Sequence, residues 1–228
     1  MKKRIALFYT LLLSALLFSG CKKEDNYDEL SRLADLKIQE AIKLATSRPC
    51  SDLKEWYIDT LYYTYAAVHP SFEKENKQLL VEARELQARA QKVYKGPPIL
   101  NDPGPLPPHF GLRCITGHVK VARATDLELE EINQRLHDLF SQITTFFDDV
   151  PCTDASKWGV VTIRKDCEFV PILMTDTKNF AEFGNMMEQY NQLYHAKRLL
   201  IKSSDCPSRN DKPAKGVVCE NGKPKVTY

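Results

Sequence analysis

Cysteine is the residue type in this sequence with the most chemistry open to it. Seven occur: Cys21, Cys50, Cys114, Cys152, Cys167, Cys206 and Cys219. An ionised thiol beside a histidine is a nucleophile, whereas paired thiols outside the cytoplasm oxidise to disulfides. The histidines lend little to the first role. Of His69, His109, His118, His137 and His195, only His109 and His118 lie close, with eight residues between them. A metal site there would need further ligands, and surface or packing roles are the simpler expectation. No H-E-x-x-H, G-x-S-x-G, P-loop or G-x-G-x-x-G is present. Asp52 and Asp154 follow Pro-Cys-Ser and Pro-Cys-Thr. Folded into one cleft they could act as acid and base; more simply, each caps a turn by accepting from a nearby backbone N–H. The expectation is no catalytic set, no cofactor and no metal.

Aromatic residues offer binding rather than catalysis. Trp56, Tyr57, Tyr62, Tyr63 and Tyr65 fall within ten residues. Read as one strand, the stretch sends Tyr57, Tyr63 and Tyr65 to one face and Trp56 and Tyr62 to the other. Exposed tyrosines suit a sugar ring or a partner protein; packing beneath helices is the alternative.

The elements that must position these groups belong to a chain of 228 residues, 43% apolar and 27% charged. That is ordinary globular composition. Its start is different. Met1-Lys2-Lys3-Arg4 is basic, and Ile5 to Phe18 is an apolar run of 14 residues, shorter than the roughly 20 a bilayer crossing takes. Leu17-Phe18-Ser19-Gly20-Cys21 follows. This resembles the lipobox of bacterial lipoproteins, with Phe18 in place of the usual leucine. The resemblance implies a signal peptide over 1–20, with Cys21 lipidated in a short tether over 21–26. Several acyl chains on one residue give stable anchoring. Lys22-Lys23-Glu24-Asp25 is similar to the surface-export tag of Bacteroidota lipoproteins and reads equally as a hydrophilic tether. Without Lys2, Lys3 and Arg4 the chain carries 29 basic and 30 acidic side chains, which supplies no electrostatic reason to bind nucleic acid.

A duplication organises the rest. Pro49-Cys50-Ser51-Asp52 with Trp56 recurs as Pro151-Cys152-Thr153-Asp154 with Trp158, at an offset of 102. Gly111, Cys114, Gly117, Lys120 and Val121 recur as Gly216, Cys219, Gly222, Lys225 and Val226, at an offset of 105. Two copies are expected, 27–123 and 124–228. Each begins with an amphipathic helix, carried by Leu30, Ala34, Ile38 and Ala41 in the first and by Ile132, Leu136, Leu139 and Ile143 in the second. A strand or hairpin follows each tryptophan. The next helices are expected from an N-cap at Ser71 and from near Asp176. Each copy closes on a β-hairpin, the second turning at Asn221-Gly222, a type I′ signal. The predicted fold class is α+β.

The duplication also suggests how the cysteines pair. The two cysteines of copy one align with Cys152 and Cys219. Cys167 and Cys206 have no counterpart, so they are expected to bond to each other, leaving Cys50–Cys114 and Cys152–Cys219. The second copy resembles a module of small Bacteroidota lipoproteins, on Cys152 with Trp158, Cys167, Ser204-Asp205-Cys206 and Cys219-Glu220-Asn221-Gly222-Lys223-Pro224 with Tyr228. Glu168-Phe169-Val170-Pro171 stands where that module is Gly-rich. The resemblance implies an address and a fold, not an activity. The functional expectation is a non-catalytic binding module, lipid-anchored at the bacterial outer membrane, for an envelope or extracellular protein or glycan. The alternatives are an envelope-polymer hydrolase and an inhibitor of secreted hydrolases.

Overall fold

The computed structural model describes residues 26–50, 52–61, 64–97, 107–202 and 213–228. Cys21, Tyr62, Tyr63, Cys206 and most of the Pro-rich stretch before His109 lie outside these residues. The fold is a mixture of helices and small antiparallel hairpins, an α+β protein with disulfides. It divides into two units, Met1–Pro105 and Leu106–Tyr228.

In the first unit, Asn26 accepts from the Asp28 backbone N–H at 2.9 Å and starts helix α1, Tyr27–Leu44. Leu30, Ala34, Ile38 and Ala41 are its buried positions, the stripe expected from their spacing of three and four. A 3₁₀ turn over Leu53–Glu55, capped by Asp52, leads into a hairpin of β1, Tyr57–Leu61, and β2, Thr64–Val68. Helix α2 then runs over Glu73–Val93 and packs along α1. The expected N-cap at Ser71 is not the one used. A 3₁₀ turn over Pro70–Phe72 precedes the helix, and the His69 ring caps that turn by accepting from the Ser71 backbone N–H at 3.1 Å. Pro70 explains the choice: its fixed φ and missing N–H suit the first position of a helical turn, which moves the cap two residues upstream, to His69.

The buried face of α2 contains Leu80, Ala83 and Ala90 together with Asn76, which is fully buried. Neither polar atom of the Asn76 amide has a hydrogen-bond partner among the described residues. Leaving such a group unmatched costs about 1–3 kcal/mol, and leucine has nearly the same shape. Asn76→Leu is therefore expected to raise the stability of the first unit by about 1–2 kcal/mol, read as a higher urea midpoint. A lower midpoint would mean that the amide is satisfied.

The second unit opens with a hairpin of β3, Leu112–Ile115, and β4, His118–Val121. Thr116 and Gly117 have φ of 49° and 80°, so this is a two-residue type I′ turn. The sequence expectation closed the first copy with this hairpin, at residue 123. The structure instead groups it with the second unit. Apolar residues on both flanks account for the difference: Phe110, Ala122, Ala124 and Leu127 share one buried cluster with Ile132, Phe183 and Leu193. Arg113 on β3 adds a two-pronged pair to Glu131, which also accepts from Arg135 Nε at 2.8 Å. The two guanidiniums hold that carboxyl below its ordinary range.

Glu131 lies on helix α3, Leu129–Thr145. After it, Asp154 caps a 3₁₀ turn over Ala155–Lys157, and β5, Trp158–Lys165, pairs with β6, Glu168–Thr175. Helix α4 spans Phe180–Leu200, with Asn179 as N-cap, accepting from Glu182 N–H at 3.3 Å. It starts later than expected because the chain turns at Asp176 and Thr177 before it can enter a helix. The chain ends in β7, Gly216–Glu220, and β8, Lys223–Thr227, with Asn221 and Gly222 at φ 52° and 74°.

Candidate functional site: an aromatic cleft with a lysine rim

Three elements of the second unit meet at a cleft of about 210 Å³. Helix α3 supplies Asn133, Leu136, His137 and Phe140 at helical spacing; α4 supplies Tyr190, Tyr194 and Lys197 in the same way; and the β5–β6 turn supplies Lys165 and Asp166. The turn is held over the helices by two phenols. Tyr190 Oη donates to the Arg164 carbonyl at 2.6 Å, and Tyr194 Oη donates to the Asp166 carbonyl. Burial, with smaller contributions from Asp166 and Tyr194, pushes the Tyr190 hydroxyl up to about 12. It therefore remains a neutral donor at any physiological pH.

With its hydroxyl spent on backbone, the half-buried Tyr194 offers ring surface, and Tyr190, buried in the core, backs it. Tyr190 and Tyr194 stack at 6.4 Å with an interplanar angle of 11°, and Phe140 lies 6.3 Å from Tyr190. The Lys165 ammonium stands 4.3 Å above the Phe140 ring, a cation–π contact. No carboxylate of the described residues pairs with it. Lys197 reaches Asp166 Oδ1 at 3.4 Å. A second cleft, of about 180 Å³, is bordered by Phe147, Trp158, Ile172 and Lys223. Its one lysine is already bonded to the Asp148 carbonyl at 3.2 Å.

The residues singled out in the sequence fall elsewhere. Cys152 and Cys219 form a disulfide with Cα atoms 5.4 Å apart, one of the expected pairs. Cys50, Cys114 and Cys167 are also disulfide-bonded; Cys206 and the lipidation residue Cys21 lie outside the described residues. Asp52 Oδ1 accepts from Lys54 N–H at 2.9 Å, and Asp154 Oδ1 from Ser156 N–H at 3.0 Å. Both acids are turn caps. Trp56 and Trp158 are buried.

The shared tyrosine face is corrected by the strand register. The stretch after Trp56 is a hairpin, not one strand. Tyr57 pairs with Val68, and Tyr65 pairs with Thr60. Cross-strand partners share a face and neighbours along a strand alternate, so Tyr57 and Tyr65 point to opposite faces. Tyr63 lies outside the described residues. The Tyr57 hydroxyl is engaged by Glu73, and burial raises its pKa.

Comparison with known protein families, curated proteins and solved structures finds no match.

The first unit holds one polar chain of catalytic outline. His69, 7% exposed, has Nε2 at 2.8 Å from Glu55 Oε2 and Nδ1 at 3.0 Å from Ser71 Oγ. Arg48 Nη1 lies 3.1 Å from the same hydroxyl. Ser71 borders an open groove shared with Lys37, Phe72 and Glu82. The Ser71 backbone N–H, however, already donates to Nδ1 at 3.1 Å, and a neutral imidazole has a single acceptor nitrogen.

No group of three or more His, Cys, Asp or Glu among the described residues is placed to hold a metal ion. The side chain of His109 is 6% exposed, and its Nε2 lies 4.0 Å from Glu188 Oε1. Burial pulls its pKa below the ordinary 6.5, with Glu188 opposing. The unfolded chain then binds the proton first, so this histidine's contribution to stability is present above pH 6.5 and lost as pH falls. Urea midpoints measured from pH 7.5 down to 5.5 should decline, and His109→Gln should flatten the decline; an unchanged slope would contradict the assignment.

Proposed function

We propose that this chain is a lipid-anchored envelope protein whose second unit binds a glycan and catalyses nothing. The observation that carries the reading is the small cleft lined by the aromatic side chains of Phe140 and Tyr194, edged by polar side chains and pinned by the turn above it. Aromatic faces bordered by a few polar groups suit a sugar ring. At about 210 Å³ the space fits one ring better than a protein segment, which narrows the protein-or-glycan alternatives toward glycan. Anchoring through Cys21 at the bacterial outer membrane belongs to this proposal and rests on the leader sequence; no helix among the described residues is long and apolar enough to cross a membrane. So does the tandem duplication. It is supported by the equivalent caps Asp52 and Asp154, each followed by a 3₁₀ turn and a buried tryptophan, and by the succession of helix, hairpin, helix and hairpin occurring twice along the chain.

The test is a glycan array probed with the full-length chain in detergent beside Phe140→Ala and Tyr194→Ala. Retention of glycan by the wild type, weakened at least tenfold in either variant, is the expected result. Equal retention by all three would place binding elsewhere. Non-reducing peptide mapping of the same material distinguishes the expected Cys50–Cys114 and Cys167–Cys206 pairs from the two other pairings of those four cysteines.

A second reading, a serine hydrolase, is favoured by the Glu55–His69–Ser71 chain, in which a carboxylate, an imidazole and a hydroxyl stand in hydrogen-bonding sequence. It ranks second because the base nitrogen already serves as a helix cap. Labelling by a fluorophosphonate that disappears in Ser71→Ala would reverse the order.

A further inference from the structure

We infer that the ligand of the α3–α4 cleft is an acidic sugar, one whose ring carries a carboxylate; the inference rests on the glycan reading above and deepens it. Charge is the reason. Two lysines rim the cleft, Lys165 from the hairpin turn and Lys197 from α4, against the one carboxylate of Asp166. Lys165 is not neutralised by any carboxylate of the described residues. Its ammonium is held over the Phe140 ring at 4.3 Å, so the cation covers that face and stands fixed in the cleft, where the acidic substituent of a ring packed against Tyr194 can meet it. Holding it there reduces the ordering cost that a free lysine would carry on binding.

The partner of Lys197 is replaceable. The Lys197–Asp166 contact is 3.4 Å, and the Asp166 side chain is 74% exposed. An exposed pair of that kind contributes between nothing and about 1 kcal/mol. A ligand carboxylate can therefore take one ammonium from Asp166 or bridge the two lysines. A neutral sugar gains only the ring contact. The hydroxyls of Tyr190 and Tyr194 donate to the Arg164 and Asp166 carbonyls, so neither has a proton left to donate to the oxygens of a neutral ring. Discrimination falls to charge, with His137 and Asn133 on α3 left to contact the ring's remaining oxygens.

A carboxylated ring occurs as a hexuronate in polysaccharides and as a sialic acid on glycoproteins. Both offer the same charge beside an oxygen-bearing ring, and the experiment separates them. The full-length chain in detergent is titrated with methyl glucuronide, N-acetylneuraminate, methyl glucoside and acetate, followed by amide and lysine ammonium NMR shifts. One or both acidic sugars should perturb Lys165, Tyr194 and Lys197, bind at least tenfold more tightly than methyl glucoside, and weaken as salt is raised. Lys165→Gln should weaken the acidic sugar at least fivefold and narrow its advantage over methyl glucoside by the same factor. The stronger of the two acids identifies the source, and either supports the inference. Equal binding of methyl glucoside at these residues would overturn the acidic ligand and leave the glycan reading standing. Acetate binding as tightly as the sugars would overturn the sugar in favour of a simple anion site. No perturbation of the cleft by any probe would overturn both.

Discussion

Replacing Cys152 and Cys219 together by serine should destabilise the second unit by about 4 kcal/mol, because the bridge closes a loop with a sequence separation of 67 residues and the entropy of closing such a loop returns to the unfolded chain. In melting temperature the loss is on the order of 15 °C. The bridge has a local consequence as well. Cys152 N–H donates to the Gly222 carbonyl at 2.8 Å, so the disulfide and this hydrogen bond together attach the β7–β8 hairpin to the segment ahead of Trp158. Without the covalent link the hairpin retains its packing against β5 and β6 and should become the first region to lose amide-exchange protection. A thermal melt and a hydrogen-exchange profile of the full chain test both points. A melting temperature lowered by only a degree or two would show that the hairpin and its packing alone constrain the fold.

Phe183→Ala should cost the same unit about 3–5 kcal/mol. Phe183 is 2% exposed and is the centre of an aromatic group. Its ring lies 4.9 Å from Phe147, 5.6 Å from Phe146 and 6.4 Å from Phe180. Removing it leaves a cavity where α4 meets the end of α3, and the surrounding rings can collapse into it only by leaving their own contacts. Phe147 stacks edge-on to Trp158 at 6.3 Å, so the near-ultraviolet circular dichroism of that tryptophan should diminish even where the variant remains folded. Phe183→Leu, which keeps most of the volume, should lose less than about 1.5 kcal/mol. Equal losses for the two variants would argue against a cavity as the cause.

Features of this protein that depend on neighbours in the chain were readable from the sequence. The spacing of Leu30, Ala34, Ile38 and Ala41 specified the buried stripe of α1, since a helix repeats every 3.6 residues whatever it packs against. Asn221-Gly222 specified its hairpin turn, because positive φ is a local demand that few residues meet. Asp52 and Asp154 were legible as caps for the same reason: the N–H groups they bond lie two residues away.

Tertiary structure decided the remainder. Nothing in Leu61-Tyr62-Tyr63-Thr64 carries the glycine, asparagine or proline that marks a reversal, so the stretch reads as one strand in sequence, and only the register of β1 against β2 puts Tyr57 and Tyr65 on opposite faces. Which unit claims the β3–β4 hairpin depends on where Phe110, Ala122 and Leu127 find apolar partners, and those partners are distant in sequence. The cleft needed three such encounters. Phe140 on α3, Lys165 in a turn and Tyr194 on α4 each look, in sequence, like an ordinary core or surface residue. Periodicity and turn chemistry are properties of a few consecutive residues, whereas a binding site is a coincidence of side chains brought together by long-range burial. The composition, the Asp52 and Asp154 caps and the buried stripe of α1 were therefore determined by the sequence alone; the place where a ligand can sit was determined only when α3, α4 and the β5–β6 turn packed.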